Sequence, residues 1–326
     1  QGPTPLSPPD TSPEFPLGTR VGEYELKRFL GAGGMGQVYE ARREGREVRY
    51  AVKILAPTDG DREGRLHELA DHPLVVAIHD RGTFVDPQQR RRHYLVMHLV
   101  RGARSLTDYA DHHHLAIEQR IALIIDACRA LEAIHARACH YDLKPANILV
   151  GDDGVVQISD LGLARLATDL ALALPGGTTA YASPEQLTLP VADLDHRADQ
   201  YALAATLYEL ITGRTPVVVR ADMSDTDVLQ AKRAPPAPLS RTVPEADDTL
   251  NTIVRRALSF SRDDRYPDTR AFREALERWR HDRDRPTRRA RRWLRRRPLL
   301  AAALLAILLG AAGTLAAMPI AVPVAR

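Results

Sequence analysis

Hydrophobic periodicity changes once along this 326-residue chain, near Ser105, and that change limits the folds open to it. Before it, apolar residues come in short runs rich in Val, Ile, Tyr and Leu: Val48 to Leu55, Val75 to His79 and Tyr94 to Val100. Such runs read as strands, interrupted by one helical stretch over about 61–70. After it the period is helical. From Ile117 to Ala136 the apolar positions 121, 124, 125, 128, 131 and 134 share one helical face. Ala198 to Thr212, Asp247 to Leu258 and Thr269 to Arg280 read as further helices. The expectation is an α+β domain over 21–281, with a smaller β-rich lobe (about 21–100) and a larger helical lobe (about 101–281).

The two ends depart from that pattern. Six prolines (Pro3, Pro5, Pro8, Pro9, Pro13, Pro16) and few apolar residues predict a disordered leader over 1–20. Between Arg278 and Arg297, eleven Arg stand against Asp282 and Asp284, a net of +9. With Arg326 also counted, the overall charge of +3 leaves residues 1–277 at −7. A mildly acidic body therefore ends in a basic collar, its juxtamembrane part assigned to 282–297. From Pro298 to Ala325 no residue is charged, and Leu299 to Met318 is nearly continuous Leu, Ala, Ile and Gly. Twenty apolar residues in a helix rise about 30 Å, the thickness of the bilayer's hydrocarbon. A transmembrane helix is predicted over 298–318, with a short extracytoplasmic remainder over 319–326.

The Arg collar beside that run is what the positive-inside rule requires, so the folded body is expected on the cytoplasmic side of a single-pass plasma-membrane protein, touching lipid through helix and collar. A nucleic-acid patch is the weaker reading of the same arginines, because the apolar run lies next to them. The run is at the wrong end for a signal peptide, and a chain opening on Gln1 is expected to be a fragment or processed product. Small residues at Ala302, Ala306, Gly310 and Thr314 suit close helix packing and a homodimer, although an Ala-rich run produces such a stripe by chance too. Two cysteines, Cys128 and Cys139, indicate no disulfide scaffold and a reducing compartment. The run His112-His113-His114 points in three directions on a helix and reads as a solvated loop, not a metal site.

Three stretches carry chemistry. Gly31-Ala32-Gly33-Gly34-Met35-Gly36, followed by Val38, would let backbone N–H groups approach phosphates closely. The same pattern marks dinucleotide folds, but those need a helix directly afterwards, whereas Gln37 to Ala41 and Val48 to Leu55 look extended. Lys53 stands in an interior-type strand, Tyr50-Ala51-Val52-Lys53-Ile54. An ammonium there is costly unless anions meet it. The third stretch is His140-Tyr141-Asp142-Leu143-Lys144-Pro145-Ala146-Asn147, with Ser159-Asp160-Leu161-Gly162 downstream.

With this block in place, the chain resembles the eukaryotic-like (Hanks-type) protein kinases over about Tyr24 to Trp279, and most of all the bacterial transmembrane serine/threonine kinases. The resemblance implies a bilobal protein-kinase fold plus the C-terminal transmembrane helix, Mg-ATP as the cofactor pair, and proteins with Ser or Thr acceptors as substrates. Carried over by position, Asp142 is the catalytic carboxylate, and Lys144 the cation that contacts the transferred phosphate. Asn147 and Asp160 hold metal. Leu30, Gly31, Ala32, Gly33, Gly34, Met35, Gly36, Gln37, Val38, Ala51 and Lys53 surround the nucleotide. Glu63, nine residues before His72-Pro73, is the expected partner of Lys53, with Glu68 as the fallback. Gly177 to Glu185 matches the substrate-facing segment, with Thr178 as its Thr that contacts the catalytic Asp. Asp199 matches the buried Asp that holds the catalytic loop, and Arg265 the partner of Glu185.

Two positions depart from the family. Tyr141 replaces the Arg that normally receives an activation-loop phosphate, and Thr168 is the only hydroxyl residue between Asp160 and Gly176. Activity is therefore expected not to depend strongly on loop phosphorylation. Leu161 replaces Phe after Asp160 and still fills an apolar slot. The competing readings are a catalytically weak pseudokinase acting as a membrane-tethered binding module, and a membrane scaffold whose collar binds anionic lipid.

Overall fold

Strand alternation organises the first lobe. The computed structural model describes residues 12–33, 36–56, 72–160, 178–220 and 222–284. Strands β1 (Arg20–Val21), β2 (Tyr24–Gly33), β3 (Gly36–Arg43), β4 (Arg49–Leu55), β5 (Ile78–Val85) and β6 (Arg91–His98) form one antiparallel sheet in the order β1-β2-β3-β4-β6-β5. Because side chains alternate along a strand, each register row has one face. Val38, Lys53 and Leu95 share a row, as do Tyr39, Val52 and Val96 on the opposite face. Tyr39, Ala41, Val52, Ile54 and Val96 build a buried cluster on that second face. Gly36, at the start of β3, has φ +135°, and a Cβ there would lie 2.0 Å from the Ile54 carbonyl oxygen. Only glycine fits.

The predicted strands stand, with edges moved by tertiary pairing. The run from Val75 contributes only an isolated bridge at Val75, and the strand proper starts at Ile78. The expectation of a disordered leader over 1–20 fails for its second half. Phe15 is fully buried against the Tyr39 cluster, and Arg20–Val21 pairs with β2. Proline density suggested disorder, but one aromatic ring seated in an apolar face is enough to order the segment around it. The helix expected near 61–70, with Glu63, lies outside the described residues. So do Gly34, Met35, residues 161–177 and everything after Asp284, including the expected membrane run. Among the described residues no helix is long and apolar enough to cross a membrane.

The second lobe begins with a small sheet, β7 (Arg104–Ser105), β8 (Ile148–Val150) and β9 (Val156–Ile158), and is otherwise helical: α1 (Leu106–His112), α2 (Ile117–His135), α3 (Arg197–Thr212), α4 (Asp225–Arg233), α5 (Asp248–Ala257) and α6 (Thr269–Asp284). Helix α2 buries Ile121, Ile124, Ile125, Leu131 and Ile134, as its 3.6-residue spacing requires. Helix α3 is buried nearly all round. Compact contacts divide the chain at Leu276 and Glu277, and of the second unit only the last two turns of α6 are described. That helix is described to Asp284, four residues beyond the predicted end at Arg280.

Two buried ionic contacts brace the second lobe. Arg265 meets Glu185 end-on, with Nη1 donating to Oε1 at 2.6 Å and Nη2 to Oε2 at 2.7 Å. This planar fork is the geometry in which a guanidinium binds a carboxylate most strongly. Asp199, fully buried in the first turn of α3, accepts from His135 Nε2 at 2.9 Å and from the backbone N–H groups of His140 and Tyr141 at 2.7 and 2.6 Å. Burial by itself would raise its carboxyl pKa. The His135 and His140 contacts more than offset this and hold it below the ordinary value.

A carboxyl depressed on folding stabilises the native state fully above its unfolded pKa, about 4, and loses that contribution as pH falls through the lower native value. Thermal midpoints measured from pH 6 down to 2 should therefore fall more steeply in the wild type than in Asp199→Asn. Parallel curves would remove Asp199 from this role.

Candidate active site

Lys53 lies mid-strand in β4 on the sheet face that also carries Val38, Ala51 and Met97. It is only 2% exposed, so its ammonium needs an anion close by. Lys53 Nζ donates to Asp160 Oδ1 at 3.0 Å, joining the first lobe to the second. Asp160 is placed by β9. Val75 bridges Ile158 in parallel, the Val76 N–H donates to the Ile158 carbonyl, and the Ile158 N–H to that of Leu74, both at 2.9 Å. Asp160 itself adopts a left-handed backbone, φ 59°, a conformation that Asp tolerates better than most residues.

Between α2 and β8 the chain forms a tight loop around Asp142, which is 1% exposed. Lys144 Nζ donates to Asp142 Oδ2 at 2.9 Å, and Asn147 Nδ2 donates to the same oxygen at 3.1 Å and to the Asp142 carbonyl at 2.8 Å. Asp142 Oδ1 is buried, with no hydrogen-bond partner among the described residues. A carboxylate oxygen left in that condition is costly, and it is set up to accept from a donor that arrives from outside.

The loop's backbone is fixed from below. Tyr141 has φ 61°, a strained setting for an aromatic residue. Its N–H is held by Asp199, and its carbonyl accepts from Gln186 Nε2 at 2.8 Å. The Asp142 N–H donates to His140 Nδ1 at 3.3 Å, so His140 is the neutral tautomer with its proton on Nε2, donated to the Ser159 carbonyl at 3.0 Å. That contact ties the Asp142 loop to the residue before Asp160. Sequence reasoning missed His140 and Ser159. Their signal was available: a buried His two residues before a carboxylate can serve both segments only through its two ring nitrogens.

Leu30 to Gly33 and Gly36 to Val38 belong to one hairpin, with Gly31 opposite Val38, Ala32 opposite Gln37 and Gly33 opposite Gly36. A Cβ added at Gly31 or Gly33 would meet nothing within 4 Å. The protein's own packing does not demand glycine there, and the open space above these positions suits a chain of phosphates approached by backbone N–H groups. Val38 and Ala51 face the cleft with Lys53. The Gln37 side chain does not. It lies on the opposite face, bound to the leader, so only its main chain is left for a nucleotide. Glu63, Gly34 and Met35 lie outside the described residues. The side chain of Thr178 does too.

Oxygen donors dominate where a cation would sit. Asp160 offers a carboxylate, and Asn147, whose amide donates through Nδ2, offers its carbonyl oxygen. This hard donor set fits Mg²⁺ better than a softer metal. The three adjacent histidines are exposed at the end of α1, and among the described residues no cluster of three or more His, Cys, Asp or Glu could hold a metal.

Comparison with known proteins agrees with this geometry. The family model described as "Protein kinase domain" matches residues 24–277. The chain is 36% identical over 263 residues to the serine/threonine-protein kinase PknH of Mycobacterium tuberculosis, covering 77% of this chain and 41% of that protein. It is 34% identical over 270 residues to PknE of the same species, covering 79% and 46%. It thus spans less than half the length of the curated relatives it matches. Among solved structures, the kinase domain of M. tuberculosis PknI superposes with a TM-score of 0.64 at 28% identity, covering 81% of this chain and 98% of that one. With the family model matched over most of its length, the chain belongs to the protein kinase family, among the Hanks-type kinases of bacteria.

Proposed function

We propose that the protein is an ATP-dependent serine/threonine protein kinase held at the cytoplasmic face of the cell membrane. One observation carries the catalytic part: the buried Asp142 Oδ1, without a partner among the described residues, beside Lys144 and Asn147, in a chain whose lobes are joined by Lys53 and Asp160. In this reading Asp142 Oδ1 accepts the hydrogen of a substrate Ser or Thr hydroxyl and orients its oxygen for attack. Lys144 neutralises the other carboxylate oxygen and presents positive charge along the path of the transferred phosphoryl group. Asp160 and the Asn147 carbonyl would hold Mg²⁺, which supplies charge neutralisation to the phosphates when bound. Lys53 anchors the phosphate chain, and the Gly31 to Gly36 hairpin covers it. Little covalent chemistry is asked of the protein, because phosphoryl transfer is accelerated mainly by position and charge. The Ser/Thr preference rests on Lys144 and on the names of the relatives.

Tyr141 bears on regulation. Its hydroxyl donates to the Leu194 carbonyl at 3.2 Å, and burial pushes that hydroxyl's pKa well above its usual value. Where most relatives of this family would offer a guanidinium to a loop phosphate, this chain has an internal neutral contact. The loop is held without an added charge.

Membrane attachment rests on the uncharged run over 298–318 and the Arg collar before it. The pseudokinase alternative gains no specific observation, since Lys53, Asp142, Asn147 and Asp160 are all present.

Four outcomes are expected. Purified protein with labelled Mg-ATP and a generic Ser/Thr substrate should transfer phosphate, and Asp142→Asn should lower kcat by roughly 10²–10⁴-fold. Lys53→Met should abolish detectable turnover, and no transfer by the wild type would leave the pseudokinase as the better reading. Thr168→Ala should keep more than a tenth of wild-type activity, and a larger loss would restore dependence on loop phosphorylation. The full chain expressed in bacteria should stay in the membrane fraction after washing with concentrated salt, whereas a chain ending at residue 297 should be released. Release of both by salt would mean that the collar, not the apolar run, does the tethering.

A further inference from the structure

The leader is attached to the same sheet that carries the nucleotide side of the site, but on its other face. Phe15 is buried edge-on to Tyr39 and Phe84, with ring centroids 6.4 and 5.7 Å away. Around it two polar routes run toward the cleft. In the first, Gln37 Nε2 donates to the Ser12 carbonyl at 3.0 Å, and Gln37 Oε1 accepts from the Glu14 N–H at 2.8 Å and from the Tyr39 hydroxyl. Gln37 directly follows Gly36, so this amide grips the glycine hairpin at its base. In the second, Glu14 accepts from Arg92 at 2.7 and 3.2 Å, and Arg92 donates in turn to the Leu55 carbonyl at 3.0 and 3.2 Å. Arg92 is nearly buried, lies 5.3 Å from the Phe15 ring centre, and reaches a carbonyl two residues beyond Lys53.

We infer that residues Ser12 to Pro16 form a strap that positions the glycine hairpin and the Lys53 strand for nucleotide from behind, with Gln37 as the positioning residue that links strap to hairpin. The inference rests on the reading of this cleft as an ATP site. The physical ground is the period of two in β3. Val38 faces the cleft and its neighbour Gln37 faces away, so the same two residues couple what happens on one face to the other. A hairpin closed by glycines is intrinsically loose. Fixing its base through the side chain of Gln37 lowers the freedom that nucleotide binding would otherwise have to remove. Gln37 touches no reacting atom, so its effect should appear in nucleotide affinity and not in the transfer step.

The test compares full-length wild type with Gln37→Leu, which keeps the size of the side chain but removes all three hydrogen bonds. Affinity for Mg-ADP is measured by calorimetry, KM for ATP and kcat by transfer to a generic substrate, and hairpin mobility by amide hydrogen exchange over residues 31–38. Loss of these three hydrogen bonds, felt only indirectly at the nucleotide, should weaken Mg-ADP binding and raise KM about fivefold to tenfold, with kcat changed less than twofold and faster exchange in the hairpin. A second variant, the chain starting at Phe15, removes the Ser12 carbonyl and breaks the Glu14 link while leaving the buried ring. Because it also takes Glu14 from Arg92, it should weaken binding at least as much as Gln37→Leu, and combining the two should add little, since the truncation already removes both leader partners of Gln37. Additive losses, or a Gln37→Leu protein that binds Mg-ADP as tightly as the wild type, would overturn the strap. A fall of kcat and thermal midpoint together, with KM unmoved, would reduce Gln37 to a merely structural contact. Failure of the wild type to bind Mg-ADP at all would instead overturn the reading of the cleft on which the strap depends.

Discussion

The site depends first on one buried carboxylate that does no chemistry. Asp199 sits at the start of α3 and gathers the backbone N–H groups of His140 and Tyr141 as well as the His135 ring. An ionised group without water is tolerable only when several donors converge on it, and once they converge none can move without cost. The left-handed backbone at Tyr141 follows from this, because a strained conformation persists only where its surroundings over-determine it. Asp142 comes next in the chain. Its Oδ1 has no partner among the described residues, and the contacts that fix the loop below it hold it in that position.

Between the lobes the same logic appears in a softer form. Lys53 and Asp160 meet at 3.0 Å, but Asp160 remains partly exposed, so this pair is weaker and easier to open than the Arg265 and Glu185 fork beneath the substrate-facing segment. The rigid contacts therefore lie in the second lobe, around the loop that would orient the substrate hydroxyl. The adjustable one lies where a nucleotide and its cation would enter. A kinase needs that division, since its nucleotide must come and go while the geometry at Asp142 is kept.

How much of this was legible in the sequence follows the range of each interaction. Period-two and period-3.6 patterns are local, and they gave the strands near Arg49 to Leu55 and Arg91 to His98 and the helices α2, α3, α5 and α6 to within a few residues. Asp142, Lys144, Asn147, Lys53 and Asp160 were legible because their spacing is itself a local pattern. Three features were not. Phe15 looked like part of a proline-rich tail, since nothing nearby in sequence reveals the apolar face 24 residues away that receives it. The role of His140 depends on Ser159, brought close only when β8 and β9 pair. Gln37 was placed with its glycine neighbours, although strand alternation turns its side chain to the other face. The register of β3 against β4 decides which of two adjacent side chains faces the cleft, and a motif read without register cannot tell them apart.

Tyr141 shows how one side chain can stand where a charge would need a partner while the backbone keeps its contacts. A guanidinium at this position would be a partly buried cation in need of an anion beside it. A tyrosine asks for much less. Its hydroxyl needs one acceptor, the Leu194 carbonyl provides it, and the ring fills the remaining volume. The backbone contacts that set Asp142 are made by the N–H and carbonyl of residue 141, which any side chain at this position would share. The backbone contacts that hold the Asp142 loop and the charge of the side chain at this position are thus carried by different atoms of the same residue, and one can change while the other is kept.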